Sequence, residues 1–136
     1  EIPAVLGTQT VLGIIRKAPL AIVVPGMFGN PMDALAARWV SRYKDQGYHV
    51  VSLANPWSDE YQKVGPVHEL GSIEKEAALI LEAIRTVRKT LAPWTQGPVH
   101  VTGESYGGLL AAAAFSLQEK QFREKGWARP ITGDVT

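Results

Sequence analysis

Val99-His100-Val101-Thr102-Gly103-Glu104-Ser105-Tyr106-Gly107-Gly108 is the stretch around which the rest of the chain is organised. Val99 to Thr102 is a short run rich in β-branched residues, the composition of a strand. Gly103 to Gly108 reads as a sharp turn. Leu109 to Lys120 reads as a helix, and its Ala111 to Ala114 run allows close packing on a sheet. The five residues Gly103 to Gly107 fit G-x-S-x-G. The spacing has a physical reason. On a tight strand-to-helix turn the serine hydroxyl points into open space above the sheet edge. Such a turn has little room for side chains two residues before and after the serine, and glycine has none. The helix that follows aims its N-terminus at the serine, where backbone N–H groups can stabilise a developing negative oxygen.

Three fixed positions at roughly 7% each match by chance in about 1 chain in 20 of this length. The flanking strand and alanine-rich helix supply the context that the motif requires. The competing reading is a glycine-rich turn holding an idle serine.

Working back from this stretch, Ala21 to Val24 is an apolar run without alternation, the signature of a strand buried on both faces. It ends at Pro25-Gly26, a turn signal. Asn30-Pro31-x-Asp33 reads as a helix start, and Met32, Leu35, Ala36, Trp39, Val40 and Tyr43 form an apolar stripe that Gly47 stops. His49 to Leu53 is the next strand. Asn55 to Leu70 is a long connection of the kind that is usually functional or mobile. Ser72 caps a second helix with its stripe at Ile73, Ala77, Ile80, Leu81, Ile84, Val87 and Leu91. Glu74 and Glu76 lie at its positive end and Arg85, Arg88 and Lys89 near its negative end. Pro93 ends it. Thr10 to Arg16 reads as a further strand, Gln118 to Arg129 as a solvated helix end, and Asp134 to Thr136 as the opening of another strand.

Strands alternating with helices predict an α/β fold of three αβα layers with a mostly parallel sheet. Residues 1–136 are expected to form one domain, incomplete at its carboxyl-terminal end. The first residue is Glu1, so the chain is expected to be processed, trimmed or part of a longer protein. A net charge of +1 gives no basic footprint for nucleic acid. The apolar runs are far shorter than the roughly 20 residues of a membrane span. No secretory signal pattern is visible. There is no cysteine, which removes disulfides, thiol chemistry and cysteine metal sites, and fits a cytoplasmic protein. No metal or cofactor is expected.

The loop Pro25-Gly26-Met27-Phe28-Gly29-Asn30 follows a strand and precedes a helix, at the same carboxyl edge as the serine turn. The N–H of Met27 and the N–H of Tyr106 would together make a two-donor oxyanion hole. The plainer alternative is an ordinary helix-entry turn.

Strand, glycine-containing loop, helix, strand, long loop, helix, strand, Gly103-Glu104-Ser105-Tyr106-Gly107, helix resembles the α/β-hydrolase superfamily from about Thr10 to Lys120. The resemblance implies that Ser105 is the nucleophile, that Gly103 and Gly107 shape its turn, and that Tyr106 and Met27 supply the oxyanion N–H groups. Many members have His-Gly where this chain has Pro25-Gly26, a tolerable change because the hole uses backbone. The Glu104 to Gly107 core is also similar to serine carboxypeptidases, but those are usually disulfide-bonded and this chain has no cysteine.

In the family the triad acid and histidine follow the nucleophile. Here no histidine follows Ser105, and Asp134 is the sole later aspartate, near the wrong end of its strand. A serine hydroxyl without an adjacent base is a poor nucleophile. His49 begins a strand at the far edge and His100 lies inside one. His68, in the long connection, is the remaining histidine that could reach the site, although a surface loop position explains it as well. Asp59 and Glu60 read as solvated, and Trp57 and Tyr61 as loop packing or a pocket wall.

The expected function is that of a serine hydrolase acting on an ester or related acyl substrate through an acyl-enzyme. Its acid and histidine would come from a complementary carboxyl-terminal segment of the same protein. The alternatives are a non-catalytic binding module of the same fold and an acyltransferase. Without that segment, the last strand is expected to expose an apolar edge and the chain to be poorly soluble or oligomeric.

Overall fold

The computed structural model describes residues 4–7, 10–11, 14–26, 34–57 and 72–136, with side chains from residue 16 onward. Strand β1 is Ala4–Gly7. Strands β2 (Thr10–Val11) and β3 (Ile14–Ile15) pair with each other as a small antiparallel ribbon. The single strand expected over Thr10 to Arg16 is therefore two short antiparallel strands. Strand β4 (Ala18–Val24) leads to helix α1 (Ala34–Asp45) and strand β5 (His49–Leu53). Helix α2 (Ile73–Thr90), a 3₁₀ turn at Ala92–Trp94, strand β6 (Thr95–Gly103) and helix α3 (Tyr106–Lys125) complete the order.

The main sheet runs β1-β5-β4-β6. β4 is parallel to both β5 and β6, and β1 is antiparallel to β5. The chain moves from β4 outward to β5, then crosses back over β4 to lay down β6 on its other side. Successive crossovers of one hand must change face when they change direction, and these do. α1 sets Trp39, Val40 and Tyr43 against Ala21, Val23 and Val50 on one face. α2 and α3 bury Ile80, Leu81, Ile84, Leu110, Ala111 and Ala114 against Leu20, Ile22, Val51, Leu53, Val99 and Val101 on the other. The alternation within each strand splits its apolar residues between the two faces.

Local signals place the helix ends. Ser72 caps α2, its hydroxyl accepting from the Lys75 N–H at 3.4 Å. Gly47, at φ 93°, closes α1: its N–H bonds to Lys44 O and the Tyr48 N–H to Tyr43 O. This is the Schellman arrangement that favours glycine. The Asn30, Pro31, Met32 and Asp33 helix start lies outside the described residues.

Three expectations change at the carboxyl-terminal end. α3 starts at Tyr106 and runs to Lys125, longer at both ends than expected. Gln118 is not on a solvated helix end but fully buried, donating to Ile131 O and accepting from the Ile131 N–H at 2.9 and 2.7 Å. Those two bonds seat Ile131 in the main core. Arg88 holds the carbonyls of Arg129 and Pro130, and Arg85 that of Ala128. Residues 132–136 then lie along β6. Val135 bridges Val101 in parallel, the Val101 N–H donates to Asp134 O, and the Gly103 N–H donates to Thr136 O. The reading of Asp134 to Thr136 as a strand opening agrees with this pairing. The expectation of a bare edge on β6 needs correction, because the chain's own last residues cover its carboxyl-terminal part.

Candidate functional site: the turn after β6

Adjacent parallel strands whose helices depart to opposite faces leave a crevice at their carboxyl ends, where open α/β sheets bind ligands. β4 and β6 are such a pair. Val24 and Gly103 are their last paired residues, and the Glu104 N–H extends the ladder to Val24 O at 3.1 Å.

Ser105 sits at this point with φ 53° and ψ −121°, the one positive-φ residue other than glycine among the described residues. A serine held there costs on the order of 1–3 kcal/mol and persists when its surroundings over-determine it. The surroundings here are backbone. A Cβ on Gly103 would stand 2.3 Å from Gly107 O, and one on Gly107 would stand 2.1 Å from Val24 O and 2.3 Å from Pro25 O. The α3 turn is pressed against the ends of β4 and β6, and only glycine leaves space for that.

Ser105 occupies the N-cap position of α3, yet its hydroxyl makes no capping bond and the residue is exposed. In the first turn of α3, the Gly107 N–H donates to Glu104 O, and those of Gly108 and Leu109 donate to Ser105 O. Among the described residues, no acceptor faces the Tyr106 N–H. A free hydroxyl and a free N–H thus lie on consecutive residues at the positive end of a 20-residue helix. The Pro25-Gly26 backbone runs alongside, since a Cβ on Gly26 would be 3.8 Å from Ser105 Cβ. Met27 lies outside the described residues, as do Asp59, Glu60, Tyr61 and His68.

The two described histidines are elsewhere. His49 is buried with Nε2 2.6 Å from Arg16 O, and its register partner is Leu20, four residues before Val24. At about 3.3 Å per residue that is about 13 Å below the serine turn. His100 is three residues before Gly103. Its Nδ1 accepts from the Asp134 N–H at 2.9 Å, and its ring meets Tyr48 edge-on. The sequence reading put His49 at the edge away from Ser105 and His100 inside the strand before the turn, and the structure has them there. Asp134 is likewise beside His100, not beside the serine.

A buried polar chain behind the turn was missed by the sequence reading. Glu76 is 0% exposed on α2. Its Oε1 accepts from Trp57 Nε1 at 2.7 Å and from the Tyr106 hydroxyl at 3.0 Å. Buried Asn55 accepts from the Trp57 N–H through Oδ1 and donates through Nδ2 to Pro25 O, both at 3.0 Å. Burial, followed by the hydrogen bond to Glu76 and its charge, raises the Tyr106 phenol above its ordinary pKa, with Trp57 acting in the opposite direction. The phenol therefore stays a donor. One signal was available: Glu76 falls within the apolar phase of α2, between Ile73 and Ile80. Among the described residues no group of three His, Cys, Asp or Glu is placed to hold a metal, and no helix is long and apolar enough to cross a membrane.

No protein-family model matches the chain, and no curated protein sequence does. Solved structures do. The chain is similar to Est1E from Butyrivibrio proteoclasticus, with 17% identity and a TM-score of 0.65 over 87% of this chain and 42% of that one. It is also similar to a thermostable carboxyl esterase from Bacillus coagulans, with 14% identity and a TM-score of 0.63, over 85% of this chain and 35% of that one. An α/β serine hydrolase homologue from Coxiella burnetii matches with 15% identity and a TM-score of 0.61, over 91% of this chain and 53% of that one. The chain thus spans about a third to a half of the length of these structures. Together with the strand order and the serine turn, these matches show that this chain has the fold of the α/β-hydrolase superfamily.

Proposed function

We propose that this chain is the nucleophile-bearing part of a serine hydrolase that cleaves an ester or a related small acyl substrate. The observation that carries the reading is Ser105, exposed and uncapped in a conformation that costs stability. A binding module has no need of a serine there. The esterases among the similar structures favour the same chemistry.

In this reading Ser105 Oγ adds to the acyl carbonyl carbon while its proton passes to a histidine. The carbonyl oxygen becomes an oxyanion held by the N–H groups of Tyr106 and Met27. Removing one such donor typically costs about 3 kcal/mol of barrier. Collapse expels the alcohol, which takes the proton from the histidine and leaves an acyl group on Ser105. Water, activated by the same histidine, then releases the acid. His49 and His100 lie away from Ser105 and His68 is outside the described residues; in this reading the histidine and the carboxylate that orients it come from a complementary carboxyl-terminal segment of the same protein. Leu109, one turn along α3 and 56% exposed, gives the surface beside the serine an apolar part suited to an acyl chain.

The test is fluorophosphonate labelling read by denaturing intact mass, on the full-length protein and on the 136-residue chain. In an adduct the serine oxygen bonds to phosphorus and fluoride leaves. The expected result is one adduct on the full-length protein, absent after Ser105→Ala and much slower on the short chain. An adduct that survives Ser105→Ala, or none on the full-length protein, would overturn the reading.

A further inference from the structure

A carboxylate at 0% exposure needs a reason, because taking a charge out of water costs several kcal/mol. Helix capping does not supply it. Ser72 caps α2 and Lys75 occupies the third helical position, so Glu76 lies one residue beyond a capping box. Favourable interaction with the helix dipole would be available equally to an exposed acid, as Glu74 is. Leucine or isoleucine would continue the apolar stripe from Ile73 to Ile80 without desolvation. What Glu76 does that no apolar residue can is accept two hydrogen bonds at one oxygen, from groups on two other elements.

Those groups are the Trp57 indole, on the connection after β5, and the Tyr106 hydroxyl, on the first residue of α3. Tyr106 follows Ser105 and carries the free N–H. Through Trp57 and Asn55 the same chain reaches Pro25 O, next to Gly26, which lies beside Ser105. We propose that Glu76 is a positioning residue of the Ser105 site, a buried acceptor that ties the Tyr106 peptide to the connection after β5 and, through it, to the end of β4. The assignment rests on the serine-hydrolase reading. In this role Glu76 acts through Tyr106 and Trp57.

Two readouts test it. In ¹H–¹⁵N spectra of the chain, the Trp57 indole is identified by its loss in Trp57→Phe and compared with the other three indoles. It should exchange with solvent about 10-fold more slowly than they do, as a buried donor does. Glu76→Ala should abolish that protection and shift the residue-106 amide, while the Gly47 amide at the opposite end of the sheet stays in place. Glu76→Gln, which keeps an acceptor oxygen, should restore part of the protection. In the full-length protein the Ser105 labelling rate should fall about 10-fold in Glu76→Ala, the scale of a small misplacement at a reacting centre, and less in Glu76→Gln. If Glu76→Ala does not fold, Tyr106→Phe, which removes only the hydroxyl, takes its place. A fast-exchanging Trp57 indole, or an unchanged labelling rate in the variant, would overturn the assignment alone. A protected indole in a full-length protein that never labels would overturn the hydrolase reading, and the positioning role with it.

Discussion

Strand β6 carries two attachments of opposite character. Beyond its carboxyl end lies the Ser105 turn, held by backbone pressed on backbone at Gly103 and Gly107 and containing a strained residue. Along its edge lies the tail from Gly126 to Thr136, which contains no positive-φ residue other than Gly126 and is held by the side chains of Gln118, Arg85 and Arg88. The tail is held mainly through side chains, and where a Cβ would crowd it, at Gly133, the neighbour is the His100 ring, 2.5 Å away, not backbone. The turn has no replaceable contact at its glycines and retains a conformation that folding alone would discard. The difference separates a part shaped for stability from a part shaped for something else.

The sharpest way to break this contrast is Gly107→Ala. Its Cβ would overlap the carbonyl oxygens of Val24, the last residue of β4, and of Pro25, the residue after it, so a loss of more than about 3 kcal/mol is expected in urea denaturation. A loss under about 1 kcal/mol would mean that the turn gives way as readily as the tail. Next is Gln118→Ala, which strands the buried N–H and C=O of Ile131. It should cost about 2–3 kcal/mol in urea denaturation and shift the Ile131 amide in ¹H–¹⁵N spectra. An equal disturbance of the residue-106 amide would show that tail and turn are one unit. The smallest effect has the opposite sign. Ser105→Gly should stabilise the chain by about 1 kcal/mol, the relieved strain less the entropy of a glycine, and raise Tm by about 4 °C. Destabilisation by Ser105→Gly would remove strain from the argument.

What was legible from sequence was local. Val99 to Gly107 carries strand, turn and proposed nucleophile within nine residues, and their relation needs no distant partner. The stripes of α1 and α2 and the Gly47 and Ser72 ends were legible for the same reason. The reversal of strand order at β4 was not, because pairing depends on partners far along the chain. Tyr106 to Gly108 looked like turn because two glycines disfavour helix by about 1 kcal/mol each, and contact with β4 overrides that preference. Gln118 was misread from its charged neighbours, although it sits four residues after buried Ala114 on the same face. Glu76 was read as an acid favoured by a helix end, a sound local argument that hid its burial. Polar residues buried to satisfy other elements carry no periodic signature of their own, and that is why the polar chain behind the turn had to come from the structure.

The departure of α1 and α3 to opposite faces has a consequence for variation. The features that define the crevice floor are main-chain: a strand end, a turn and the first N–H of a helix. Main-chain groups are indifferent to which side chains surround them. The walls above that floor can therefore be exchanged, by insertion after β4 or β5 or by substitution at Leu109, while the floor is inherited unchanged. Such a division lets the surface above the turn vary in small steps while the geometry of the turn is kept.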